Sequence, residues 1–176
     1  MATKSKKSTV RKISSKITKS KRTKILCVSH KEDADGISSA ALIKQAFGGD
    51  TILVDYPGMM DELEALRNDV KLKKLFICDV GLNKQTNDSF VDLLTELRKK
   101  RISVTYVDHH DIDPKVATKL KKIKVNLIHD ISECTAVLVY DAFKKKLSEG
   151  STFIAACGAI TRSEERRVGK ECRSRW

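Results

Sequence analysis

The sequence predicts an α/β domain: a doubly wound, mainly parallel five-stranded sheet with helices on both faces. Two observations carry this expectation. From Lys24 to Thr161 short apolar runs alternate with helical patterns, the order that builds a parallel sheet through crossover helices. The apolar runs are nearly continuous and rich in Val, Ile and Leu, as strands buried on both faces require.

The elements follow in order. "KILCVSH" reads as the first strand, and "GISSAALIKQAF" as a helix closed by Gly48 and Gly49. "TILVDY" is the second strand, stopped by Pro57 and Gly58, with "MMDELEALRND" a short amphipathic helix after it. "KLFICDV" is the third strand. "NDSFVDLLTELRKKR" spaces Phe90, Leu93, Leu94 and Leu97 for one helical face and places basic residues at its C-terminus, where the helix dipole favours them. "ISVTYV" is the fourth strand, and "DPKVATKLKK" a helix with Pro114 in its first turn. "VNLIHD" is the fifth strand, and "CTAVLVYDAFKKKLSEG" a helix ended by Gly150. "STFIAACGAIT" reads as a further helical run. No internal repeat is evident.

The chain has 176 residues and a formal net charge of +12. That charge suggests nucleic acid, but its distribution is uneven. Residues 1–24 contribute +10 with no acidic residue, and residues 162–176 contribute +3, which leaves −1 on residues 25–161. The basic N-terminal segment has too little apolar surface to fold and is expected to be disordered. It suits either non-specific, salt-sensitive contact with nucleic acid or solubility alone, since it offers no aromatic side chain for base stacking. A transit peptide fits less well, because Lys outnumbers Arg and no cleavage pattern is evident. A near-neutral remainder gives no expectation of a strong polyanion groove.

Five cysteines without paired spacing, and no signal peptide or membrane-length apolar run, point to a soluble, cytoplasmic protein of a reducing compartment. Cys27 and Cys78 fall inside predicted strands and read as small core hydrophobes. The last fifteen residues, "RSEERRVGKECRSRW", lack apolar periodicity and follow the helical run without a cap or turn. They resemble one reading frame of a translated sequencing-library adapter. On that reading Arg162–Trp176 carry no function, and the domain spanning residues 25–161 is C-terminally incomplete.

In doubly wound sheets, ligands collect at the carboxyl ends of the strands. In this sequence those ends carry His30, Asp33 and Asp35 after strand one, Asp55 after strand two and Asp79 after strand three. Asp108, His109 and His110 follow strand four, and His129 and Asp130 follow strand five. So many carboxylates in one cleft repel each other and are driven to protonate unless cations sit among them. Mixed Asp and His ligands without thiolate favour Mn²⁺, Mg²⁺ or Fe over a structural zinc. Bland readings stand beside this one. An aspartate after a strand is a common helix N-cap, which would account for Asp35 or Asp79 taken singly. Gly36 suits a turn, Asp55 before Tyr56-Pro57 suits turn chemistry, and His129 suits a satisfied loop histidine. Three acidic clusters at three strand ends, two of them with histidine, are hard to explain on structural grounds.

"HKEDADGISSA", the "ICDVG" around Asp79 and "VDHH" at 107–110 resemble, in order, the first three motifs of the DHH phosphoesterase superfamily. That group holds RecJ-like exonucleases, nano-RNases and cyclic-dinucleotide phosphodiesterases. The resemblance covers roughly residues 24–161 and implies a phosphodiester hydrolase that uses a two-metal-activated hydroxide, usually with Mn²⁺ and with Mg²⁺ as an alternative. Carried over by position, His30 and Asp33 would bind one metal and Asp35 the other. Asp79 would bridge both, and His109 would complete the second metal's shell. Asp108 would orient the histidine pair, and His110 would face the substrate phosphate, so that Asp79, His109 and His110 form the catalytic group.

The implied substrate is nucleic acid or a short oligonucleotide or dinucleotide, with no membrane partner. Two alternatives stand beside it: an inactive DHH-like scaffold of replication or repair proteins, which would typically lose ligands, and an inorganic pyrophosphatase of the same superfamily. Two departures from the family pattern bear on activity. A fourth-motif aspartate is expected next to Thr161, where the adapter-like sequence begins, and the family's second, substrate-gripping domain is expected to be lacking as well. The polypeptide as written is therefore expected to be poorly active.

Overall fold

The structure, a computed structural model, describes residues 25–161. The readings of residues 1–24 as a disordered arm and of 162–176 as adapter-derived lie outside the described residues. Between those limits run β1 (Ile25–His30), α1 (Ala34–Phe47), β2 (Asp50–Val54), α2 (Tyr56–Ala65), β3 (Lys74–Cys78), α3 (Asn87–Lys99), β4 (Ser103–Asp108), α4 (Pro114–Lys122), β5 (Asn126–His129) and α5 (Thr135–Phe143). Residues 151–161 are also helical. The strands form one sheet in the order β2-β1-β3-β4-β5, and every neighbouring pair is parallel. The predicted doubly wound α/β architecture is therefore the observed one.

Period-two alternation along the strands sorts the core into two layers. Leu75 and Ile77 of β3, with Val104 and Tyr106 of β4, face a layer built with Met59 and Leu63 of α2, Phe90, Leu94 and Leu97 of α3, and Val116 and Leu120 of α4. Phe76, Cys78, Cys27 and Val107 face the other layer, against Leu42 and Ile43 of α1 and Ala136 and Val139 of α5. Cys27 and Cys78 are buried free thiols within it, as their strand positions suggested.

The strand order defines where a ligand crevice opens. From β1 the chain steps outward to β2, then returns across β1 to place β3 on its other side. The connections leaving β1 and β3 therefore diverge, and a crevice forms at the carboxyl ends of those two strands, the topological switch point of an open parallel sheet.

Local chemistry moves two boundaries from their expected places. Pro57 does not simply stop the second strand. It lies in the first turn of α2 behind Asp55, whose side chain accepts the Gly58 N–H, because proline's fixed φ suits a helix start. The strand consequently ends at Val54 rather than Tyr56. The fifth helix stops at Phe143 and passes through a 3-10 turn, Lys144–Lys146, to an extended Leu147, well short of Gly150. Leu147 turns back onto the second core layer, so burial of one apolar side chain accompanies the early stop.

Gly36 sits where the first turn of α1 meets the end of β1. A Cβ there would lie 2.3 Å from the His30 carbonyl oxygen, far inside contact distance. The absence of a side chain lets α1 start directly against the strand, and so fixes where the residues after β1 point.

Candidate metal centre

β1 delivers His30 to the switch point as its last residue. The next helix start places Asp33 beside it as the N-cap of α1, with Oδ1 accepting the Gly36 N–H at 2.9 Å. The other oxygen, Oδ2, lies 3.0 Å from His30 Nδ1. A carboxylate at Nδ1 holds the ring proton there and leaves Nε2 as the unprotonated nitrogen. His30 Nε2 is buried and has no hydrogen-bond partner.

β3 delivers Asp79, buried to 1 % exposure and held at φ 55°. Aspartate tolerates this left-handed conformation better than most residues. Its N–H donates to the Val107 carbonyl at 3.0 Å, which ties the turn to the end of β4. Burial, reinforced by the negative charges of Asp35 and Asp33, pushes the Asp79 carboxyl up to about 8. Strain and a displaced pKa at one strand-end residue are a recurrent mark of functional sites.

β4 ends in Asp108, and the two histidines follow. His109 and His110 stack with ring centroids 4.3 Å apart, yet different groups hold them. Asp108, fully buried, accepts from Tyr106 Oη at 3.1 Å and from the His110 N–H at 3.2 Å, and lies 2.9 Å from His110 Nδ1. It therefore orients His110, not both members of the pair. His109 Nδ1 instead lies 3.1 Å from Asp35 Oδ2 and 3.5 Å from Asp79 Oδ1. His109 Nε2, like that of His30, is buried without a partner.

Asp35 sits in the first turn of α1, and its two oxygens accept the backbone N–H groups of Thr135 and Ala136 at 2.9 and 2.7 Å. Cys134 at the N-cap of α5 makes no side-chain cap bond, so Asp35 supplies that cap from a different element. Among the described residues two groups bring their ligand atoms within 4.8 Å of one another: His30, Asp33 and Asp79, and Asp79, His109 and His110. Asp79 belongs to both. Asp35 stands next to these groups, with its oxygens on α5.

The donor set fits divalent cations. Two buried imidazole nitrogens lack partners, both histidines group with the same carboxylate, and among the described residues no cysteine joins either group. The bland readings hold elsewhere. Asp55 caps α2 and pairs with Lys31 Nζ at 2.6 Å. His129 Nε2 lies 2.6 Å from the His110 carbonyl oxygen, and Asp130 closes a local turn on Ser132.

Three residues of the site escaped sequence reasoning. Thr135 is fully buried at the start of α5 and touches Asp79 and His109 through its hydroxyl. Tyr56 places its ring 5.0 Å from that of His30 and its hydroxyl 3.5 Å from His110 Nε2. Tyr106 holds Asp108 from inside the core. Only Thr135 left a signal, a polar residue within the apolar start of a helix pattern.

A parallel sheet with acidic and imidazole side chains gathered at its switch point suits the class of cation-binding α/β domains. Within that class the chain belongs to the DHH family: the family's N-terminal domain matches residues 24–160. This is a phosphoesterase family that works with metal ions, and the Asp and His groups here lie near one another as such chemistry needs. No curated protein matches the sequence. Among solved structures, the chain is similar to an uncharacterized protein from Helicobacter pylori G27, with 20% identity and a TM-score of 0.55. The match covers 75% of this chain and 40% of that one, so the chain spans about two fifths of the matched protein's length. Among the described residues no helix is long and apolar enough to cross a membrane.

Proposed function

We propose that this protein is a RecJ-like phosphodiesterase, hydrolysing nucleic acid or short oligonucleotides and dinucleotides with Mn²⁺, or Mg²⁺ in its place. One observation carries the reading: His30 and His109 keep buried, unpartnered Nε2 atoms, and each histidine falls in a ligand group with the same buried Asp79. Burying an imidazole nitrogen without a partner costs about 1–3 kcal/mol, and two such costs in one crevice are offset when each lone pair binds a cation.

On this reading His30, Asp33 and Asp79 hold one ion, and Asp79 and His109 the other, with Asp35 beside it. Bound divalent cations supply a water of lowered pKa and offset the charge that develops on the phosphoryl oxygens. The remaining work falls to the chain's own groups. Asp108 keeps the Nδ1 proton of His110 in place and turns Nε2 toward Tyr56 and the open side of the crevice. His110 is part-exposed, unlike its neighbour, and so can meet a substrate phosphate. Residues 1–24 add a basic contact for a polyanionic strand, and the protein works in the cytoplasm, where its free cysteines stay reduced.

The inactive-scaffold alternative would fit a chain that had lost its ligands, and here every candidate ligand of three motifs is present. The test is turnover of 5′-labelled single strands, linear dinucleotides and cyclic dinucleotides with Mn²⁺, for the wild type and for Asp79→Asn. Slow, Mn²⁺-dependent release from at least one of these substrates, lost in the variant by a factor of roughly 100 or more, supports the reading. Turnover that survives Asp79→Asn or ignores the metal refutes it.

A further inference from the structure

Thr135 lies 56 residues from Asp79 in sequence and 100 from Asp35, yet it touches both. Its backbone N–H donates to Asp35 Oδ2 at 2.9 Å. Its hydroxyl donates to Asp79 Oδ1 at 3.0 Å and lies 3.2 Å from His109 Nδ1. The side chain is fully buried, so water cannot replace these partners.

A hydroxyl has one proton to give. When Asp79 is ionised and accepts that hydrogen bond, the oxygen is left to accept from His109 Nδ1–H, which also lies 3.1 Å from Asp35 Oδ2. The bonds run in one direction, from His109 Nδ1–H to Thr135 and from Thr135 to Asp79. The consequence falls on the far side of the ring, where Nε2 is left bare and buried.

We propose that Thr135 is a positioning residue of the metal centre: its hydroxyl bridges His109 Nδ1 and Asp79, and so fixes the ring with its Nε2 lone pair left for a cation. The proposal deepens the metal-dependent reading above and rests on it for its functional meaning. Asp35 serves the same arrangement by capping α5 from α1, which fixes where Thr135 stands. Groups that orient a ligand in this way typically change metal affinity by about 10–100-fold when removed.

The test compares wild type with Thr135→Val, which keeps the shape and loses the hydroxyl, and Thr135→Ser, which keeps the hydroxyl. Two readouts are taken on the 176-residue chain. The first is Mn²⁺ affinity by calorimetry, expected to weaken by about 10–100-fold in the Val variant and to recover in the Ser variant. The second is hydrogen exchange of the His109 ring N–H by NMR in chelator-treated protein, expected to speed up by about tenfold or more in the Val variant only, as a buried hydrogen bond is lost. If Thr135→Val folds poorly, Thr135→Ala takes its place. Unchanged ring exchange in the hydroxyl-less variant overturns the proposal, as does a Ser variant impaired as severely as Val. Failure of the wild type to bind Mn²⁺ at all would instead sink the metal-dependent reading, while the ring N–H comparison would still decide the role of Thr135.

Discussion

Asp79 combines three unfavourable circumstances: a left-handed backbone, near-complete burial and two neighbouring carboxylates. Its carboxyl titrates near 8 when folded and near 4 in an unfolded chain. Between those pH values the folded state holds a proton that the unfolded state has lost, so the chelator-treated protein becomes less stable as pH rises from about 4 to about 8. Added Mn²⁺ should then raise the melting temperature more at pH 8 than at pH 6, because binding at the lower pH must first expel the proton. Thermal melts with and without metal at the two pH values check this; an equal or larger shift at pH 6 would contradict it. Substitutions separate charge from backbone. Asp79→Asn keeps the tolerance for positive φ and removes the charge, so it should abolish metal stabilisation while leaving the chelator-treated fold intact. Asp79→Ala should lose a further ~1 kcal/mol or so, the cost of a left-handed conformation in a residue without a short polar side chain.

At the scale of elements, close approach and helix ends decide the outcome. The Cβ of Gly36→Ala would meet the His30 backbone, and relief requires α1 to retreat from β1. A loss of roughly 1–3 kcal/mol is expected, with loss of metal binding because Asp33 and Asp35 ride on that helix start; an unchanged urea midpoint would show that α1 has slack. The ends of α3 and α4 are built alike. Ile102 N–H reaches the Leu97 carbonyl and Arg101 N–H that of Arg98, and Val125 and Lys124 repeat the pattern on Leu120 and Lys121. This is the Schellman arrangement, which normally places glycine where Arg101 and Lys124 adopt φ of 63° and 60°. Lys124 is exposed, so Lys124→Gly should stabilise the protein by about 0.5–1 kcal/mol in urea unfolding, and a loss instead would mean that the lysine side chain makes a stabilising contact.

At the scale of the whole molecule, the acidic site lies at one end of the strands and a cluster of basic side chains at the other. Arg98, Lys99, Lys122 and Lys124 line a hollow of about 320 Å³ between the ends of α3 and α4, away from the carboxyl ends of the strands. A net charge near zero concealed that separation, because a sum over residues carries no direction. The strand and helix order was legible, since buried parallel strands announce themselves as apolar runs, and so were the ligand-type residues that end β1, β3 and β4. Less legible was how they are held. Asp35 faces α5 and Thr135 faces Asp79 across 100 and 56 residues, and only tertiary packing brings such pairs together. The early end of α5 was hidden for the same reason: "KKKLSEG" suits a helix by propensity, and Leu147 is drawn out of it by the core.

On the reading proposed above, the crevice at β1 and β3 is a cation site organised around Asp79. Equilibrium dialysis against Mn²⁺ followed by elemental analysis tests it most directly, on the wild type and Asp79→Asn side by side. Mn²⁺ is expected at both of the ligand groups that share Asp79 in the wild type, with little or none retained by the variant. Equal Mn²⁺ content in the two proteins, or none in the wild type, would contradict it.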